Sequence, residues 1–228
     1  MVKDLTTEQR KEALHIITMV KEKRCGKIKA RACVDGRRQR RYVNKDDVAS
    51  PTVQQESPIL SMIIDTREKR DIATADVVGA YPLATMNDYV LLKVTGRAVE
   101  TLCDISNEYE KYVTEENGKR VLYLRLKKAL YGCMQSAILW YDTFKGCLVN
   151  MGFKLNKYDP CVANKMVNGK QCTICWHVDD NKISHVKPKV VDEVIAKIEE
   201  QFGKMVVTRG EKHNFVGMDY NHGTISIP

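Results

Sequence analysis

The chain has 228 residues, of which 43% are hydrophobic and 29% charged, and a formal net charge of +8. That is enough apolar side chain for a sizeable core in one large domain or two small ones, and no apolar run approaches the roughly 20 residues that span a bilayer. The start, Met1-Val2-Lys3-Asp4-Leu5-Thr6-Thr7-Glu8, lacks the basic-then-apolar layout of a signal peptide, so the expectation is a soluble intracellular protein with no membrane partner, acting in either cytoplasm or nucleus.

Thr6-Thr7-Glu8-Gln9 has the capping-box pattern and predicts a short helix to about Leu14. His15 to Val20 and Lys27 to Val34 flank Lys23-Arg24-Cys25-Gly26 and read as a β-hairpin. Between Lys21 and Lys45 stand eleven Lys or Arg against two acids, Glu22 and Asp35. A charge run of this kind is usually a solvated face, but here the charges alternate with Ile28, Ala30, Ala32 and Val34, which makes a basic strand and a candidate polyanion site. Arg37 to Lys45 reads as a polar connector. Ser57-Pro58 has the look of N-cap and N1 of a second helix, with Ile59, Met62 and Ile63 at helical spacing, ending in the charged stretch Thr66 to Arg70.

Asp71 to Val78 is strand-like and leads into a break at Gly79-Ala80-Tyr81-Pro82. Tyr89 to Val94 and Val121 to Leu126 predict strands around a helical insert, Ala98 to Tyr112, and a turn at Glu116-Asn117-Gly118. Ser136 to Met151 predicts an amphipathic helix with Trp140, Phe144, Cys147, Leu148 and Met151 on its packed side and Gly152 as C-cap. Cys161 to Val167 and Gln171 to Val178 flank Asn168-Gly169, a strong hairpin signal. Lys187 to Phe202 predicts a further helix, and short strands follow at Met205 to Thr208, Asn214 to Tyr220 and Thr224 to Ile227. The irregular interleaving, with neighbouring strands joined by hairpins, predicts an α+β fold whose largely antiparallel sheet packs on helices.

Two strand ends carry acids: Asp76, and Asp179-Asp180 at the tip of a second hairpin running from Cys172 to Ser184. Asp is common in turns, and a solvated turn is the plain reading of the pair. If the two strands are neighbours, however, three carboxylates converge, and hard oxygen ligands of that kind suit Mg²⁺. Two such ions serve phosphoryl transfer, and the basic strand around Lys29 and Arg31 could meet phosphates. The combination points to a nucleotidyl transferase. Cys172-Thr173-Ile174-Cys175 with His177, and Cys161 or His185 beside them, has zinc-like spacing, but strand alternation sends Cys172 to the face opposite Cys175 and His177, so the set is disfavoured. The eight cysteines are scattered through apolar segments and read as reduced core thiols.

Lys29-Ala30-Arg31, Ala75-Asp76-Val77-Val78-Gly79-Ala80-Tyr81, Leu126-Lys127-Lys128-Ala129-Leu130-Tyr131-Gly132-Cys133-Met134-Gln135, Val178-Asp179-Asp180 and Phe215-Val216-Gly217-Met218, in that order, resemble the reverse transcriptase domain of Ty1/copia-type retrotransposons from about Lys21 to Tyr220. The resemblance implies a right-hand RNA-directed DNA polymerase, with residues 1–70 as a fingers-like part and 71–228 as a palm carrying an insert at 98–120. It implies that Asp76 and Asp179 ligate two Mg²⁺ ions, or Mn²⁺ in their place, with the Val77 carbonyl assisting and Asp180 completing the cluster. Tyr81 would be the steric gate under the sugar, Gln135 would lie beside the incoming nucleotide, and Lys29 and Arg31 would contact its triphosphate. His177, Phe215, Gly217 and Met218 would hold the primer end. The implied partners are an RNA template, a DNA or tRNA primer, dNTP and the rest of a Pol polyprotein.

The sequence departs from the family pattern at His177, where Tyr is usual, at Cys133-Met134, where Leu-Lys is usual, and in stopping at Pro228, before a thumb of ordinary size. A truncated, inactive fragment that binds nucleic acid through the basic hairpin is therefore the competing expectation.

Overall fold

A computed structural model describes residues 4–22, 26, 28–221 and 224–226 of the chain. In chain order its elements are α1 (Thr7–Glu12), β1 (Leu14–Glu22), β2 (Ile28–Val34), α2 (Glu56–Glu68), β3 (Asp71–Val77), α3 (Ala80–Leu83), β4 (Leu91–Thr95), α4 (Arg97–Ile105), β5 (Thr114–Glu116), β6 (Lys119–Arg125), α5 (Ser136–Asn150), β7 (Lys154–Leu155), β8 (Val162–Val167), β9 (Lys170–His177), β10 (Asp180–His185), α6 (Pro188–Phe202), β11 (Met205–Arg209), β12 (Lys212–Phe215), β13 (Met218–Asn221) and β14 (Thr224–Ser226). The mix of helices with mainly antiparallel sheet is the α+β class expected. The contacts divide the chain into two compact units, residues 1–49 with 84–139 and residues 50–83 with 140–228. Each is discontinuous, unlike the single boundary near residue 70 drawn from the sequence.

The first unit holds a five-stranded sheet in the order β2-β1-β4-β6-β5, antiparallel except where β1 runs parallel to β4. The capping box at Thr6 and Gln9 forms as the sequence implies, and the β1–β2 hairpin pairs from Ile16 with Val34 out to Glu22 with Ile28. Of its expected turn, only Gly26 lies among the described residues. Arg37 to Lys45, expected as a connector, contains a 3-10 turn over Gly36–Arg41. One carboxylate ties α1 to the sheet: Glu116 accepts from Lys93 Nζ at 2.5 Å, Arg10 Nη1 at 2.8 Å and the Tyr123 hydroxyl at 3.0 Å. Lys93 above all holds its pKa down at about 2.

The second unit holds a six-stranded antiparallel sheet, β11-β3-β10-β9-β8-β7, and a three-stranded one, β12-β13-β14. One face of the larger sheet packs on α5 and α6 through Trp140, Phe144, Trp176 and Phe202, with ring centroids 5.1–5.7 Å apart. The other packs on α2, which begins two residues earlier than expected, with Gln55 at its N-cap and Pro58 in the first turn, where a missing N–H costs nothing. Its buried residues are Pro58, Ser61, Met62 and Asp65, whereas Ile63, expected on the packed stripe, is 54% exposed. The reason lies on β10. Lys182, 1% exposed, donates to Ser61 Oγ at 2.8 Å and to Asp65 Oδ2, so the inward face of α2 is selected by an ion pair rather than by apolar periodicity.

Two further differences from the sequence reading are local. Asn214 to Tyr220, expected as one strand, is a hairpin, because Val216 and Gly217 both take positive φ, 51° and 73°, as a two-residue type I′ turn requires. The break expected after Val78 is a turn followed by the single helical turn α3.

Within the first unit the end of β2 touches the loop before α5 backbone to backbone. Val34 N–H donates to Tyr131 O at 2.8 Å, a Cβ on Gly36 would stand 2.1 Å from Gly132 O, and one on Gly132, at φ +93°, 2.0 Å from Val34 O. No side-chain adjustment relieves a backbone clash, so Gly132→Ala and Gly36→Ala should each destabilise by about 3 kcal/mol or more. Gly146→Ala, inside α5 with open space around its Cα, should stabilise by up to about 1 kcal/mol. Urea unfolding midpoints of the three variants provide the check.

Candidate active site

β9 and β10 are joined by the two-residue turn Val178–Asp179, with His177 paired to Asp180 across it. Val178 has φ 58°, a left-handed conformation that crowds a β-branched side chain and is kept only where surrounding contacts over-determine it. Those contacts are present. Val178 O accepts from Trp140 Nε1 at 2.6 Å, and Asp179 O accepts from Asn181 Nδ2 at 2.8 Å and from Val77 N–H at 3.0 Å. The Asn181 amide also reaches Ala75 O at 3.2 Å, tying the turn to β3.

That tie sets the register of the acids. Asp180 lies directly opposite Asp76 on β3 and opposite His177 on β9, so the three side chains leave the same face of the sheet. Asp179 occupies the turn beside them. Asp180 is exposed to solvent at the strand end, yet the protein packed around its carboxyl, and then repulsion from Asp179 and Asp76, push it above its ordinary value, with His177 opposing. Asp76 and Asp179 are therefore near enough to Asp180 to act on its charge. Among the described residues no three His, Cys, Asp or Glu side chains are gathered as a metal cluster, so the carboxylates are a hard-oxygen donor set of the right chemistry rather than a closed cage. His177 is half-buried, its Nδ1 buried without a hydrogen-bond partner among the described residues. Val77, the expected carbonyl ligand, ends β3 opposite Met205.

Tyr81 is half-buried on α3, in the same unit as the acids. Lys29 and Arg31 are exposed on β2 in the other unit, the Arg31 guanidinium 5.5 Å from the centroid of the Tyr131 ring. Gln135 is 5% exposed, with both ends of its amide bonded: Gln39 Nε2 donates to its Oε1 at 2.7 Å and its Nε2 donates to Asp88 at 2.8 Å. Gln39 Oε1 in turn accepts from Met134 N–H at 2.9 Å. The Phe215 and Met218 side chains are buried and paired beneath the Val216–Gly217 turn, which leaves Gly217 at the surface. The Cys172 thiol is pushed up to about 11 by burial and that of Cys175 is raised by the same cause, so both are protonated, unreactive thiols at neutral pH.

Sequence reasoning missed Trp140 and Asn181 as anchors of the turn and Gln39 as the partner of Gln135. Asn181 is the one with a local signal, a side-chain amide immediately after the acid pair.

A family model described as reverse transcriptase (RNA-dependent DNA polymerase) matches residues 4–227. The chain belongs to that family. Its relatives include the Transposon Ty1-BR Gag-Pol polyprotein of Saccharomyces cerevisiae (strain ATCC 204508 / S288c), 24% identical over 82% of this chain, and the Truncated transposon Ty1-A Gag-Pol polyprotein of the same organism, 25% identical over 81%. This makes the chain a reverse transcriptase domain of the Ty1/copia type. It spans 10% and 14% of the lengths of those two relatives. Among solved structures, a foamy viral protease-reverse transcriptase in complex with double-stranded DNA covers 95% of this chain and 31% of its own, with 12% identity and a TM-score of 0.46. No helix among the described residues is long and apolar enough to cross a membrane.

The raised carboxyl of Asp180 has a consequence for the stability of this reverse transcriptase domain. The folded state holds the Asp180 proton to higher pH than the unfolded chain does, so this residue contributes stability at low pH that is lost as pH rises through the folded pKa. Asp180→Asn, which removes the charge and keeps the shape, should raise the melting temperature at pH 7, with the advantage over wild type shrinking as pH falls toward the ordinary carboxylate range. Thermal melts across that range test this, and an Asp180→Asn protein that melts lower than wild type at pH 7 would remove the repulsion account.

Proposed function

We propose that the chain carries out RNA-directed DNA synthesis, adding dNTP to the 3′-hydroxyl of a DNA or tRNA primer on an RNA template. The observation that carries this reading is the in-register pairing of Asp180 with Asp76, closed by the Val77 N–H to Asp179 O bond, in a chain whose family is that of reverse transcriptases. In this reading Asp76 and Asp179, with the Val77 carbonyl, hold two Mg²⁺ ions, or Mn²⁺ in their place, and Asp180 adds to the negative potential that attracts them. When bound, such ions acidify the attacking hydroxyl and steady the leaving group.

The chain's own residues bind and position the reactants. Tyr81, on α3 just beyond Asp76, lies under the sugar and excludes a 2′-hydroxyl. Lys29 and Arg31 meet the triphosphate as a point charge and a planar fork respectively. His177 and the turn at Gly217, with Phe215 and Met218 packed beneath it, hold the primer end. Gln135 supports the nucleotide subsite through the loop it braces, since its amide is taken up by Gln39 and Asp88. The unit containing β1 and β2 corresponds to fingers and the six-stranded sheet to the palm. Because the relatives are Gag-Pol polyproteins, the natural partner in this reading is the remainder of a Pol polyprotein, working inside the cell.

Primer extension on an RNA template with Mg²⁺ tests the reading. Asp179→Asn should lose at least about a hundredfold in rate, equivalent to roughly 3 kcal/mol, with template binding unchanged. No extension from either protein, with template still bound, would make the chain a nucleic-acid-binding fragment. Tyr81→Ala should raise ribonucleotide incorporation relative to deoxyribonucleotide, and unchanged sugar selectivity would withdraw the gate role.

A further inference from the structure

Between α2 and the strands β8 and β9 lies a groove of about 100 Å³ in which the apolar Leu60, Ile64 and Val162 stand beside the polar Arg70, Asn156, Asn164 and Thr173. Thr173 is four residues from His177 along β9, roughly 13 Å at the rise of a strand, so the groove is separate from the acids at the turn. Arg70 is the one charged residue in that lining among the described residues, and its side chain is 2% exposed.

A guanidinium only donates, and that fact propagates outward. Arg70 Nη1 donates to Thr173 Oγ1 at 3.0 Å, and Gln171 Nε2 donates to the same oxygen at 3.1 Å. The Thr173 proton therefore goes to Asn164 Oδ1, at 3.0 Å, which also accepts from Gln171 Nε2 at 2.9 Å. With its oxygen committed, Asn164 is left with an NH₂ group that has no acceptor among the described residues. Asn156 is fixed the same way, its Oδ1 accepting from Tyr158 N–H at 2.8 Å. The spare amide groups of both asparagines are thus donors.

The charge beneath agrees with the polarity. Arg70 and Lys182 have side chains 2% and 1% exposed, and one fully buried carboxylate, Asp65, lies between them. The other partner of Arg70, Glu68, is 41% exposed and so is weakened by solvent screening. Of the two carboxylates that pair with these buried cations, only Asp65 is itself buried, so Arg70 keeps one partly solvated counter-ion that an anion brought to the groove would supplement.

We infer that this groove is a binding site for a small oxyanion of the phosphate class, held by the Asn156 and Asn164 amides over Arg70. The test is thermal melting of the full chain in inorganic phosphate against sodium chloride at equal ionic strength, with acetate as the carboxylate control. Phosphate should raise the melting temperature by several degrees, acetate much less. Asn164→Asp keeps the oxygen that accepts from Thr173 and Gln171 but replaces the spare donor with a second carboxylate oxygen, so it should remove the phosphate response and melt higher than wild type without phosphate. Asn156→Ala, at the edge of the groove, should weaken the apparent phosphate affinity several-fold while leaving the fold intact, which keeps the test open should the first variant not fold. Glycerol phosphate distinguishes the sources: a response matching that of phosphate marks the phosphoryl end of a larger ligand, and a response to phosphate alone marks the free ion. No phosphate-specific shift in wild type, an equal shift with acetate, or undiminished responses in the variants would overturn the assignment.

Discussion

The larger sheet depends on a lysine that has no route to water. Lys182 sits in the middle of β10, 1% exposed, and its ammonium is satisfied by Asp65 and Ser61 of α2. A buried ion pair of this kind adds little net stability compared with apolar packing, but removing one partner leaves an unpaired buried charge and costs about 3–5 kcal/mol. It therefore acts as a register lock. A one-residue slip of β10 would turn Lys182 to the opposite face, where Trp176 packs on Phe144 and Tyr141, and no carboxylate waits there among those partners. The same lock keeps Asp180 opposite Asp76.

With the register held, the turn carries a conformation that would not survive on its own merits. Val178 is crowded at positive φ, and Asp180 is repelled by both neighbouring acids. Both features cost free energy in the folded state, and both lie at the strand ends that the site needs. They are sustained by elements at their backs: the Trp140 indole on the Val178 carbonyl, the Asn181 amide bridging two strands, and the aromatic layer from α5 and α6 beneath. Strain and like-charge repulsion are thus concentrated at one turn on a rigid support, and in the proposed reading a bound cation would relieve the repulsion.

How much of this could be read from residues alone follows from the range of the forces involved. The capping box at Thr6, the Asn168-Gly169 hairpin, the helix expected over Ser136 to Met151 and found over Ser136–Asn150, the helix ending at Phe202 and the acidic strand ends are written in local pattern, and the structure has them. The inward face of α2 was misjudged because Ser61 and Asp65 are buried for the sake of a lysine 117 residues away, and hydrophobic periodicity carries no trace of such a partner. The Val216–Gly217 turn was missed for a different reason: valine is a poor residue for positive φ, and only tertiary packing of Phe215 and Met218 selects it. Gln135 illustrates a third limit. Its position in a motif suggested a contact with nucleotide, and the bonds that hold its side chain to Gln39 and Asp88 cannot be seen without coordinates.

The two ends of β9 and β10 now differ in a way that one buried ion pair explains. At the turn, Asp180 is repelled by Asp179 and Asp76; toward the far end, Arg70 donates to Thr173 and the Asn164 amide is left with a donor to spare. Asp65 lies between Lys182 and Arg70, Glu68 gives Arg70 a second, partly exposed partner, and because arginine never accepts a hydrogen bond, its donation to Thr173 sets the direction of the bonds out to Asn164. The lock that fixes the register of the acids therefore also dictates the polarity of the groove behind them, so a substitution at Asp65 or Lys182 should disturb both ends of the sheet together, whereas Asn164, outside the ion pair, reports on the groove alone.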